Sequence, residues 1–165
     1  MKPIDLDIDK YHETIKAFHS ESDRAAAVLA GSFLEHFLAK YLRSFMVADE
    51  SVLQLFDGFG PFAQFTQRFE AAYAFGWLSA SQRNDIKIII KIRNRFAHHP
   101  LETSFDKSPV SEWCAELSTK GIQAPIAEVH HTNRQLYLIS ISLCIGSWHN
   151  TMLKRGSSKR SVGTS

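Results

Sequence analysis

Cysteine is scarce: Cys114 and Cys144 are the only two, and they show no CxxC spacing. That excludes a disulfide framework and a cysteine-built zinc site, and it suits a reducing compartment. Long apolar runs are missing too. The longest, 136–148, is flanked by Arg134 and His149 and is too short to span a bilayer. The opening MKPIDLDIDK is acidic and polar, without the apolar stretch of a secretory signal. No Walker glycine loop, dinucleotide-binding GxGxxG, GxSxG elbow or HExxH occurs. Gly58-Phe59-Gly60 lacks the preceding strand that would make it a phosphate loop. These absences lead to the expectation of a cytoplasmic protein with no membrane association, cofactor or metal.

What is present suits one globular domain. Hydrophobic residues make up 44% and charged residues 22% of the 165. A chain of this size buries roughly 70% of the surface its unfolded form exposes. The net charge of +2 conceals an asymmetry. Residues 154–165 hold Lys154, Arg155, Lys159 and Arg160 and no acid, and removing those four charges leaves a body of −2. Residues 1–153 are therefore read as a single helical domain, and 154–165 as a basic, disordered tail.

Helical periodicity dominates and strand signals are few. After a helix near 6–19, the segment 22–47 carries two neighbouring apolar rows: Phe33, Phe37 and Tyr41, then Leu34, Leu38, Leu42 and Phe45. Gly31 weakens this helix without ending it. Asp57-Gly58-Phe59-Gly60-Pro61 breaks the chain, with Pro61 placed to start a new helix. Phe62, Phe65, Phe69, Ala72 and Gly76 follow at helical steps and read as core. Ser79 and Gln82 have capping-box spacing for a helix from Ala80 to the His99-Pro100 break. A short helix opens at Ser108-Pro109 and ends by Gly121. After a connector around Pro125, Thr132 or Asn133 caps a last helix over 134–154, apolar nearly all round. The expectation is an all-α fold, an irregular bundle of five or six helices, with the final helix shared with a second copy in a homodimer.

Chemistry concentrates in Arg93-Asn94-Arg95-Phe96-Ala97-His98-His99. Arg93 falls in register with Ile86, Ile89, Ile90 and Ala97, so it continues the apolar stripe, where an unpaired guanidinium is costly. Asn94 and His98 are four apart and share a face. Arg93 and His98 stand about 140° apart on a continuous helix. They converge only if the helix unwinds before Pro100 or a second chain supplies one of them. Basic residues in a last turn also satisfy free carbonyls and complement the helix dipole. Two histidine pairs, His98-His99 and His130-His131, have no acidic partner at ligand spacing, so no metal site is read.

The segment DGFGPFAQFTQRFEAAYAFGWLSASQRNDIKIIIKIRNRFAHH resembles the mannitol operon repressor family. The matching features are the GP turn, Arg68, AYAFG (72–76), the acidic helix start and IRNRFAH (92–98). They cover about a quarter of the chain. The closing piece is also similar to the Arg-Asn-three-residues-His signature of HEPN domains, a wider class of helical, typically dimeric proteins, many of them metal-independent ribonucleases. That resemblance implies Arg93 and His98 as a catalytic pair with Asn94 orienting the site; Arg95 and His99 are candidates for contacting nucleic acid or a partner. A neutral imidazole can take a 2′-hydroxyl proton, and an arginine can hold the charge developing on phosphorus.

Two function classes follow. The first, favoured, is a regulatory module that binds an unidentified protein partner and acts on transcription without direct sequence-specific DNA binding, since no helix pair presents a base-reading surface. The alternative is a HEPN-type ribonuclease acting on RNA through Arg93 and His98. The acidic body favours the first, because an RNA channel draws on positive charge.

Overall fold

The computed structural model describes residues 8–121 and 131–162. Seven α-helices and one short 3-10 helix make up the described residues, with no strand among them. They are α1 (Ile8–Ser20), α2 (Asp23–Arg43), α3 (Ser51–Gln54), α4 (Phe65–Ala74), α5 (Ala80–His98), α6 (Val110–Ala115) and α7 (Asn133–Val162), with the 3-10 turn at Ser118–Gly121. The fold is all-α as expected; the count exceeds five or six because α3 and α6 are stubs of four and six residues. The start of the first helix expected at residue 6, the connector around Pro125, and His130 fall outside the described residues.

Helix boundaries follow the local chemistry. The Ser22 side chain accepts the Ala25 N–H and caps α2. Thr132 caps α7: its hydroxyl accepts from Gln135 N while the Gln135 side chain accepts from Thr132 N. Ser79 and Gln82 form the reciprocal box at the start of α5. α4 ends in a Schellman arrangement, with Gly76 N–H to Tyr73 O and Trp77 N–H to Ala72 O.

Two boundaries differ from the sequence reading. Pro61 does not open α4, which starts at Phe65 after Gln64. Residues 61–64 are held as turns instead, because Phe62 N–H bonds back to Leu55 O and the carbonyls of Phe62 and Ala63 accept from the Arg68 side chain. The last helix likewise runs past the end expected at residue 154. α7 continues through Lys154 to Val162, and Arg155 lies over the Phe45 ring at 4.2 Å.

α2 is the axis of the bundle. Successive links Arg134–Asp23, Tyr137–Ala27, Trp148–Tyr41 and Arg155–Phe45 run upward along both chains, so α7 lies parallel to α2. α5 runs against both, tied to α7 by Gln82–Ser147 near its start and to α2 by Arg93–Ser32 near its end. Leu34, Leu38 and Leu42 of α2, Ile86, Ile89, Ile92 and Phe96 of α5, and Tyr137, Ile141, Ile145 and Trp148 of α7 meet in the core. One chain buries Leu136, Tyr137, Leu138, Ile141, Cys144, Ile145 and Trp148 of α7; Ile139 is half-buried and Leu143 is 49% exposed. The all-round apolar helix is thus largely covered without a second copy.

Candidate functional site

The five sequence-picked residues lie in the last turns of α5 and at its cap. The helix is continuous to His98, so the unwinding that would bring Arg93 and His98 together within one chain does not occur. Arg93 turns inward toward α2. Asn94 and His98 are exposed on another face, Arg95 is half-buried, and His99 is the exposed cap residue, whose carbonyl accepts from Thr103 Oγ1 at 2.7 Å. Among the described residues no hydrogen bond or ion pair joins Arg93 to Asn94 or His98.

Arg93, on the apolar stripe, meets an acid of α2. Its Nη2 is 3.7 Å from Glu35 Oε2 and donates to Ser32 Oγ at 3.4 Å. Its aliphatic stem crosses α2 at Gly31, where a Cβ would stand 3.1 Å from Arg93 Cγ and Cδ and from Tyr137 Oη. The missing side chain makes room for the crossing. Nε is buried without an acceptor, a cost the chain carries for threading a guanidinium between packed helices.

Glu35 is shared. Its Oε1 lies 3.6 Å from Arg68 Nη1. Arg68 in turn clamps the GP turn: Nε donates to Phe62 O at 2.6 Å, and Nη2 donates to Ala63 O at 3.0 Å and more distantly to Phe56 O. Burial pulls the Arg68 pKa below its usual value, opposed by the nearby carboxylates of Glu35 and Asp57. The result is an Arg–Glu–Arg cluster joining α2, α4 and α5, with one carboxylate between two guanidiniums.

The sequence reading missed Glu35, Ser32 and the role of Gly31. A signal was available: Gly31, Ser32 and Glu35 lie within about one turn of a helix whose other rows are apolar. An arginine in an apolar stripe calls for an acid in just such a place. Around the histidines, no group of three or more His, Cys, Asp or Glu among the described residues is arranged to hold a metal ion. No helix among them is long and apolar enough to cross a membrane.

No family model matches the chain, and no curated protein matches it. Solved structures do. A chain of the MtlR–HPr complex from Escherichia coli, MtlR being the mannitol operon repressor, is similar over 83% of this chain and 96% of its own length, with a TM-score of 0.67 at 15% identity. YggD from Shigella flexneri 2a, described as a possible transcriptional regulator, is similar over 92% and 97%, with a TM-score of 0.62 at 17% identity. At these identities the likeness is one of fold.

Proposed function

We propose that this protein is a mannitol-repressor-like regulatory protein that works by binding another protein, without direct sequence-specific DNA recognition. The observation that carries the reading is the near end-to-end overlap with a chain of the MtlR–HPr complex. It agrees with the resemblance of residues 57–99 to the same family. The site geometry adds support: Arg93, the residue a nuclease would need beside His98, is occupied inside the fold by Glu35 and Ser32. HPr is the natural first probe. Titration calorimetry with HPr should give a saturable one-to-one complex per chain, and the absence of heat with HPr and related carrier proteins would remove the proposal's main support.

A homodimer belongs to this reading, with half-exposed Leu143 of α7 at or near the contact. Light scattering at low micromolar concentration should report twice 18.7 kDa. The alternative reading, a HEPN-type ribonuclease, draws on the exposure of Asn94 and His98 on one face, free to meet a second copy. It requires Arg93 to leave Glu35 and reach the partner's histidine.

A further inference from the structure

The far end of the bundle carries chemistry that the regulatory reading does not use. Four side chains from three segments meet there in one file. The Arg155 guanidinium lies 4.2 Å over the Phe45 ring, Phe45 is parallel to Trp77 at 4.3 Å between centroids, and Trp77 meets Phe75 at 4.8 Å. The file is fixed from below: Tyr41 donates its hydroxyl to Trp77 O at 2.9 Å, stacks on Trp148 and meets Phe45 edge-on. At its outer end Phe75 is 57% exposed. An exposed aromatic ring thus stands at one end of the file and a guanidinium at the other.

Positive charge near the file comes from Lys154 and Arg155 of α7 and from Lys40 and Arg43 of α2, with Asp49 and Glu50 beside Arg43. Arg83 is matched by an acid, Glu70 of α4, which Lys87 also joins. Among the described residues no carboxylate pairs with Arg155, and α7 continues past it through Lys159 and Arg160. Arg155 is thus an unpaired cation at one end of the aromatic file. Aromatic faces interleaved with unpaired cations are the chemistry that holds single-stranded nucleic acid, bases stacking while phosphates meet the cations.

We propose that this file, built from Phe75, Trp77, Phe45 and Arg155, binds single-stranded nucleic acid without sequence preference. It is separate from the Arg93–His98 motif, which lies about 20–30 Å away along α5. It goes beyond the regulatory reading and does not depend on it. No base-reading helix is involved, and the duplex is disfavoured because its bases are not free to stack on Phe75.

The test is fluorescence anisotropy with a labelled oligouridylate of about twelve residues, titrated with the full chain over a salt series. Binding should be saturable, and its logarithm should fall with log salt by about 0.7 per phosphate engaged. Phe75→Ala should weaken it about tenfold or more with an unchanged melting temperature. Oligonucleotide should quench tryptophan emission, and Trp77→Ala should remove most of the quench and weaken binding with it. A duplex of equal length should bind more weakly. Three results would overturn the proposal. One is no binding at low salt. Another is binding that heparin matches and Phe75→Ala leaves unchanged. The third is loss of HPr binding in Phe75→Ala with no oligonucleotide binding, which gives the surface to a protein.

Discussion

Arg93 and Glu35 face each other between α5 and α2, Nη2 3.7 Å from Oε2, while the other oxygen of Glu35 lies 3.6 Å from Arg68 Nη1. One carboxylate thus balances two guanidiniums at the junction of three helices. The arginine that the motif marks as catalytic is, in this chain, a tie within the fold.

Glu35→Gln should therefore destabilise more than Arg93→Lys. The glutamine leaves the Arg93 guanidinium without its countercharge and Arg68 with Asp57 alone, at a cost of about 1–3 kcal/mol. The lysine keeps one charge near Glu35 and loses only the fork geometry, about 1 kcal/mol or less. Urea denaturation of both variants checks the order; the reverse order would place Glu35 outside the network.

Gly31→Ala should cost about 1–2 kcal/mol, because its Cβ would press on the Arg93 stem and the Tyr137 hydroxyl. Combined with Arg93→Ala, part of that cost should vanish, since the stem is then gone. A double-mutant cycle by chemical denaturation reads the coupling, and strict additivity would mean that the crossing at Gly31 is not tight.

Gly58 has φ +57°, and a Cβ added there would meet nothing within 4 Å, so backbone conformation alone limits it. Gly58→Val should lower the melting temperature by several degrees, an effect of about 1–2 kcal/mol. Gly58→Asn, which tolerates the left-handed region, should recover most of the loss. Equal losses in both variants would point to a contact instead.

Burial pushes the Cys114 and Cys144 thiols up to about 12. In the unfolded chain they ionise near 9, the ordinary value for the group. A folded pKa raised above the unfolded one means that this contribution to stability is complete below about pH 9 and is lost progressively toward 12. Global stability should fall across that window, and less steeply in Cys114→Ala/Cys144→Ala. At pH 8 both thiols should resist iodoacetamide until denaturant is added; rapid alkylation of the folded protein would contradict their burial.

Much of the fold was legible because its signals are local. The Ser79–Gln82 box and the paired rows on α2 depend on residues within one or two turns of each other, and each appears where the spacing placed it. What was not legible depends on distant contacts. Pro61 looked like a helix start because nothing nearby reveals that Arg68 draws the following carbonyls into turns. The reach of α7 past Lys154 was not legible because Phe45, which Arg155 covers, lies more than a hundred residues earlier. In the site, the stripe register of Arg93 announced that its guanidinium needed a specific partner. That Glu35 of α2 stands opposite it followed only from the α2–α5 crossing.

The central claim, that the Arg93–His98 motif is a feature of the fold and not a nuclease centre, meets its most direct test in one assay. Labelled single-stranded RNA is incubated with the purified protein in EDTA, beside Arg93→Ala and His98→Ala, and resolved on a denaturing gel. The account predicts intact RNA in all three lanes. Cleavage by the wild type that both substitutions abolish would contradict it and establish the motif as catalytic.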